Sequence, residues 1–360
     1  MSGELLQMRF HFGERDRDGD GPLDAAVMDA CARRGVRAAA LMRGVEGFGA
    51  KHRLRTDRLL SLSEDTPLVA VAVGESEVVE GLVEEVRGMA AEGLIVVEEV
   101  EEPTAGTAAT TAAMAAAPVV GVAGDEEGSD RVRATVWGPR TGSTSPHLEA
   151  VAALKRHGAE SATVLLGVDG VIDGERRRAR FVAANRGVPA MTVGVGRRAG
   201  IDAALAEVDG AAHLVTVEPV VTYRRIATVS HHDEPAADAR VVAYSRIAGP
   251  SHHGTAAIRV ALVTSEVASR GPHPAYLEFI HQLRREGAPG ATAQRGVWGF
   301  RGEGEPHGDR VLALRRDVPL VVEVVDSAER AARWVELAHD AACEGDVVHV
   351  QSIHDAITLE

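Results

Sequence analysis

Apolar and polar residues alternate over Leu6–Phe12, Val132–Trp137 and Ile258–Val263, the period of a strand. After each, apolar residues recur every three or four positions: Leu23, Val27, Ala30 and Cys31; Leu148, Val151 and Leu154; Leu277, Ile280 and Leu283. That spacing predicts three helices. Pro22 and Gly35, Pro146 and Gly158, and Pro274 and Gly287 bracket them. Proline suits the first turn of a helix, where its missing N–H costs nothing. Glycine just past a basic residue suits the left-handed C-cap. Second strands are predicted at Val36–Met42, Ser161–Leu166 and Ala291–Gln294. Buried-looking strands follow in the runs LVAVAV, AMTVGV and LVVEVV. Helices over Glu75–Ala91, Gly200–Val208 and Ser327–Ala342, and strands over Leu94–Val100, Ala212–Val217 and Asp346–Gln351, complete the pattern.

The order β-α-β-β-α-β therefore occurs three times. The glycines of the stretches RGVEGFG, GVDGVIDG and RGVWGFRG bind the copies together. Gly44, Gly167 and Gly296 each lie nine residues after a predicted C-cap glycine. Pro67, Pro189 and Pro319 follow them by 22 or 23 residues. A repeated register of this kind marks a tandem array. The unit is the ferredoxin-like split βαβ, an antiparallel four-stranded sheet with both helices on one face. The chain divides into unit 1 (1–102), an Ala/Thr-rich linker (103–130), unit 2 (131–223), a His-containing linker (224–256) and unit 3 (257–358). A strand is possible within the second linker at Arg240–Tyr244. The alternation leaves the other face of each sheet apolar, so the three sheets are expected to pack on one another as an intrachain pseudo-trimer. The expected molecule is an α+β monomer.

Composition narrows the function. The formal charge is −14, which argues against a nucleic-acid binder. Aromatics are only 3% of the residues, so the cores must be built from Ala, Val and Leu. The two cysteines, Cys31 and Cys343, form no disulfide framework and are expected on apolar helix faces. The N-terminus has no signal-peptide pattern, and Ala108–Ala123 is too short and polar to span a membrane. A cytoplasmic location is expected.

The glycine stretches lack the Gly-Lys-Ser/Thr end of a P-loop, and no helix opens directly after them. Their glycines read either as positive-φ turns at a strand exit or as part of a ligand loop. Charge favours the latter. Lys51, His52, Arg53, Arg55 and Arg58 follow the first stretch, and Arg176, Arg177, Arg178 and Arg180 the second. Glycine backbone N–H groups with Arg side chains suit an anion. The candidate binding residues are Arg43, Gly44, Glu46, Gly47, Phe48, Gly49, His52, Arg53 and Arg55, with Arg176, Arg177, Arg178, Gly296, Gly299 and Arg301 as counterparts. The third loop is mixed in sign (Arg301, Glu303, Glu305, His307, Asp309, Arg310), which predicts unequal sites.

Other signals are weaker. DRDGDG at Asp16–Gly21 imitates a calcium loop, but its twelfth position is Val27, so it reads as a turn capping the first helix. His231, His232 and Asp233, with His252 and His253, lack ordered metal-ligand spacing. Glu64 and Asp65 read as a turn, and Ser63 lacks a positioned base. No metal, cofactor or catalytic constellation is expected, and the chain is not read as an enzyme.

The run from Arg43 to Val73 resembles the family catalogued as domain of unknown function 190. The matching positions are Gly44, Glu46, Gly47, Phe48, Gly49, His52, Thr56, Leu60, Ser63, Glu64, Asp65 and Pro67. Asp317–Arg330 matches its downstream half, and unit 2 keeps the spacing with little of the motif. The resemblance implies a PII-like fold, with clefts between units that bind adenine nucleotides in relatives and loops that signal to a partner such as a membrane transporter. The PII phosphate-binding run T-G-x-x-G-D-G-K is missing; MAAEGLIV, VDGAAHLV and ACEGDVVH stand there. The expectation is a PII-like regulatory protein that binds a small anion, foremost a nucleotide, in clefts between units, with a ligand-independent interaction scaffold as the alternative and an enzyme on this frame as the third and least favoured.

Overall fold

The computed structural model describes residues 4–49, 51–52, 54–56, 65–103, 130–141, 146–180, 185–208, 210, 212–223, 257–308 and 317–359. Repeat 1 runs strand Leu5–Gly13, α1 (Leu23–Arg34), strands Ala38–Phe48 and Pro67–Glu75, α2 (Ser76–Met89) and strand Gly93–Val100. Repeat 2 runs Arg131–Pro139, α3 (Pro146–Arg156), Ser161–Leu166, Pro189–Arg197, α4 (Arg198–Val208) and Leu214–Pro219. Repeat 3 runs Ala257–Ser265, α5 (Ala275–Arg285), Ala291–Arg295, Pro319–Ser327, α6 (Ala328–Ala341) and Val347–Ile353. In each repeat these strands pair antiparallel in the order fourth, first, third, second.

The predicted caps are built alike. Gly35, Gly158 and Gly287 have φ of 69°, 74° and 76°, a conformation that costs a glycine little. The N–H after each turns back into the helix: Val36 donates to Cys31 O, Ala159 to Leu154 O and Ala288 to Leu283 O. This closure satisfies the end carbonyls and releases the chain into the second strand.

Most of each glycine stretch is not a turn but a strand that leaves its own sheet for another; Gly174 and Gly302, at the ends of the second and third stretches, do form left-handed turns. The first half of Ala38–Phe48 pairs with Pro67–Glu75, and its second half, from Gly44 to Phe48, pairs with Ala291–Gln294 of repeat 3. The equivalent Asp169–Ile172 of repeat 2 pairs with Ala38–Leu41 of repeat 1. Trp298–Arg301 of repeat 3 pairs with Ser161–Val164 of repeat 2. Each repeat thus lends a strand to another, and the three loans form a cycle. The chain past each fourth strand runs the cycle the other way. Glu101 bridges to Val217, Val221–Tyr223 pairs with repeat 3, and Asp355–Leu359 returns to repeat 1.

The loaned strands carry side chains into the neighbouring core. Val45 and Phe48 join the core of repeat 3 beside Phe279 and Trp334. Val171 joins repeat 1 beside Cys31, and Phe300 joins repeat 2 beside Leu154. A further apolar cluster is shared by repeats 1 and 2, with Met42, Val69 and Val71 against Trp137, Met191 and Leu214.

Three expectations are corrected and one is refined. Val36–Met42 ends too early, because the glycines permit strand pairing rather than stopping it. Asp16–Gly21 meets the start of α1 through its backbone rather than a side chain: Arg17–Asp18 and Gly21–Pro22 form a short hairpin, and Leu23 N donates to Asp16 O at 3.0 Å. Cys31 is buried, but Cys343 lies past the end of α6 and is only partly covered. The sheet faces turned away from the helices are not purely apolar, as shown below. The linker histidines, Arg53, Ser63, Glu64, Arg240–Tyr244 and Ala108–Ala123 lie outside the described residues. Among the described residues no helix is long and apolar enough to cross a membrane.

Candidate functional site

The glycines of the loaned strands are required by close approach of backbones. A Cβ on Gly47 would lie 2.7 Å from Ala291 O and 3.3 Å from Pro67 Cγ. Gly170 faces Ala39 O and Pro189 Cγ, and Gly299 faces Ala162 O and Pro319 Cγ, in the same arrangement. Gly44, Gly167 and Gly296 are equally confined, by Pro67 Cγ, Pro189 O and Pro319 O respectively. Gly44, Gly47 and Gly49 lack the expected positive φ, but Gly174, Gly299 and Gly302 have it, at 72°, 150° and 53°. The spacing of glycine and downstream proline is therefore a packing code: the proline ring fills the side-chain space at Gly44, Gly47, Gly170 and Gly299, and the proline carbonyl does so at Gly167 and Gly296. Gly49 meets nothing within 4 Å.

Beyond each loaned strand, the loop meets the first helix of the neighbour it joins. The three clefts differ in how their basic residues are answered. In the cleft of loop two against α1, Arg176 binds Asp169 at 2.6 Å and Asp29 of α1 at 2.5 Å. The hydrogen bond to Asp169 is the main reason the guanidinium holds its proton more tightly than an ordinary arginine, with that to Asp29 adding to it. Arg178 reaches Asp24 of α1 at 3.0 Å, and Arg177 pairs with Glu175. In the cleft of loop three against α3, Arg301 binds Asp346 at 2.7 Å and Glu344 O at 2.8 Å. Lys155 of α3 lies over the Phe300 ring and donates to Gly302 O.

The cleft of loop one against α5 is not closed in this way. Arg43 pairs with Glu14, Lys51 with Glu92, and Arg55 with Asp65 at 3.1 Å. Glu46 is buried, opposite Ala293. His52 stacks on Phe48 with ring centroids 5.7 Å apart, and its carbonyl accepts from Arg284 Nε at 2.7 Å. Beside that contact, His281, Arg284 and Arg285 of α5 line an open surface depression of about 390 Å3. Neither Arg284 nor Arg285 forms an ion pair among the described residues. The structure thus gathers His52 with residues of α5 that the sequence reading did not single out. Those residues lie on the polar side of an amphipathic helix, where a solvated face and a binding face read alike.

A second polar assembly lies at the centre, where the inner faces of the sheets meet. Gln7, Arg133 and Arg259 occupy equivalent positions on the three first strands, opposite Glu98, Glu218 and Gln351. Gln7 bonds Glu98, Arg133 bonds Glu218, and Arg259 bonds Gln351. Repeat 1 lacks the arginine and repeat 3 the glutamate, so Arg259 also crosses to Glu98, 2.9 Å away. A second crossing joins Arg9 of repeat 1 to Glu323 of repeat 3 at 3.3 Å. Three arginines and three glutamates give this centre no net formal charge.

Burial acts to raise the Glu323 carboxyl, but Arg9, Arg259 and Arg133 outweigh it and hold the group well below the usual range. Burial pushes His349 down to about 3, helped by Arg133 and Arg259, and pushes His11 down to about 4. Both imidazoles are therefore neutral at pH 7. A narrow cavity of about 10 Å3 between repeats 2 and 3 touches Arg133, Thr163, Gln294, Glu323 and His349. That is about the space one water needs. Among the described residues no group of three metal-ligating side chains occurs.

Domain of unknown function 190, described as "Uncharacterized ACR", matches residues 5–102, 139–222 and 257–353. The chain belongs to this family, in three tandem copies. A UPF0166 protein of Aquifex aeolicus (strain VF5) is 29% identical over 91 residues, covering 25% of this chain and 86% of the relative. Two solved structures share 12% identity. A structure titled as an unknown protein from Galdieria sulphuraria covers 62% of this chain and 98% of its own, at a TM-score of 0.18. An anthrone oxidase-like protein covers 61% and 94%, at a TM-score of 0.16. Neither similarity bears on the fold of this chain.

Proposed function

We propose that this member of the family is a PII-like regulatory protein: three ferredoxin-like units closed as an intrachain pseudo-trimer, which binds a small anion between units. The fourth-first-third-second strand order and the cyclic loan of strands support the architecture. The observation that carries the ligand reading is the open basic depression lined by His281, Arg284 and Arg285 beside His52. Two guanidinium groups on one helix turn, neither in an ion pair among the described residues, suit a phosphoryl group, and a nucleotide is the leading candidate. Loop one, from Gly49 onward, would report occupancy to a protein partner. The protein acts in the cytoplasm as a monomer and performs no catalysis.

Calorimetry with ATP, ADP, AMP and inorganic pyrophosphate tests this reading. One of them should bind wild-type protein, and Arg284→Ala with Arg285→Ala should abolish that binding while the fold persists. No heat and no thermal shift from any of the four would overturn it. Capture of a partner protein that ignores both substitutions would favour the interaction-scaffold reading instead.

A further inference from the structure

Counting back six residues from each left-handed glycine that ends a first helix gives Asp29 in α1, Ala152 in α3 and His281 in α5. The three positions are equivalent, yet they face their loops with opposite chemistry. His281 lines the open basic cavity, whereas Asp29 places a carboxylate 2.5 Å from Arg176. Asp24, one turn and a half earlier in α1, does the same for Arg178 at 3.0 Å.

An arginine pair answered by carboxylates from a neighbouring helix is what an anion site looks like when a side chain fills it. Arg176 is held from behind by the buried Asp169, which binds two of its nitrogens at 2.6 and 3.1 Å. Its remaining nitrogen, Nη1, points at α1, to Asp29 and to Ala25 O at 3.3 Å. Asp169 thus orients the guanidinium, and Asp29 takes the place a ligand oxygen would have. The Asp29 side chain is 55% exposed, so its departure exposes little that is apolar.

We propose that the cleft between loop two and α1 is a latent phosphate-type anion site, plugged by Asp24 and Asp29 as built-in pseudo-ligands. This rests on the reading of the α5 cleft as its open counterpart. The two carboxylates serve as the repulsive element against free anions, so that the chain offers one open cleft rather than several. Arg176, Arg178 and the Asp169 that orients Arg176 form the binding side of the site.

The test uses the full chain with the α5 cleft silenced by Arg284→Ala and Arg285→Ala, and inorganic pyrophosphate as the probe in calorimetry. Adding Asp24→Asn and Asp29→Asn should create binding of one pyrophosphate per chain. The affinity should be at least about tenfold above that background. Arg176→Ala and Arg178→Ala should remove it again. A folded variant that gains no binding overturns the proposal, as does a gain that survives loss of both arginines. Should the combined variant fail to fold, Asp29→Asn alone in the silenced chain carries the same test. Wild-type protein that binds no phosphate compound would sink the reading of the α5 cleft, while a gain in the asparagine variants would still uphold the plug.

Discussion

A methyl group added to Gly47 would stand 2.7 Å from the carbonyl oxygen of Ala291, across the junction of repeats 1 and 3. Gly170 and Gly299 stand in the same relation to Ala39 and Ala162. Gly47→Ala, Gly170→Ala and Gly299→Ala should each destabilise the chain by about 1–3 kcal/mol, since backbone must shift to admit the side chain. Gly49→Ala, in open space, should stay within about 0.5 kcal/mol of wild type. Urea unfolding of the four variants checks this. Equal stability of Gly47→Ala and Gly49→Ala would remove the close-approach explanation.

The central imidazoles make stability depend on pH. His11 and His349 have folded values of about 4 and about 3, below their ordinary 6.5. A group depressed in this direction binds its proton more readily when unfolded. Its contribution is present above about pH 6.5 and is lost as pH falls toward the folded value. At pH 5 each histidine should cost about 2 kcal/mol relative to pH 7. Glu323, also depressed, loses stability in the same direction at lower pH. Thermal melts from pH 7.5 to 4.5 should fall steadily, and His349→Gln should flatten the curve. A melting point independent of pH over that range would contradict the neutral, buried state of both rings.

Arg9 and Glu323 link repeats 1 and 3 inside the molecule, each nearly inaccessible to solvent. Arg9→Met or Glu323→Gln alone should cost about 3–5 kcal/mol by stranding the other charge. Arg9→Met together with Glu323→Gln should cost clearly less than the sum of the single changes. A double-mutant cycle in denaturant gives the coupling, and strict additivity would show the pair to be energetically independent.

The two thiols should differ in accessibility. Burial pushes Cys31 up to about 12, inside the core of repeat 1, whereas Cys343 is only partly covered and is raised less strongly, chiefly by burial. Maleimide at pH 7.5 should label Cys343 first, and Cys31 only on unfolding. Mass spectrometry of timed samples decides the order.

Periodicity and punctuation determined much of this protein before any coordinates. The three proline–glycine brackets placed α1, α3 and α5, and the recurring glycines and prolines established three copies of one unit. Those signals are local, because a left-handed cap or an apolar helix stripe needs only a few neighbouring residues. The RGVEGF stretch shows where local reading ends. Its glycines and basic tail resembled an anion loop, but most of the glycines serve backbones from another repeat more than 240 residues away for Gly44 and Gly47. Arg176, Arg178 and Arg301 are answered by carboxylates on other elements. Likewise Gln7, Arg9 and His11 alternate with apolar residues as a solvent-facing strand edge would, yet Gln7 and Arg9 are buried and His11 half-buried because other repeats cover them. Whether a polar position meets water, an ion partner or a ligand depends on which distant surface closes over it, and that is decided only when the chain folds back on itself.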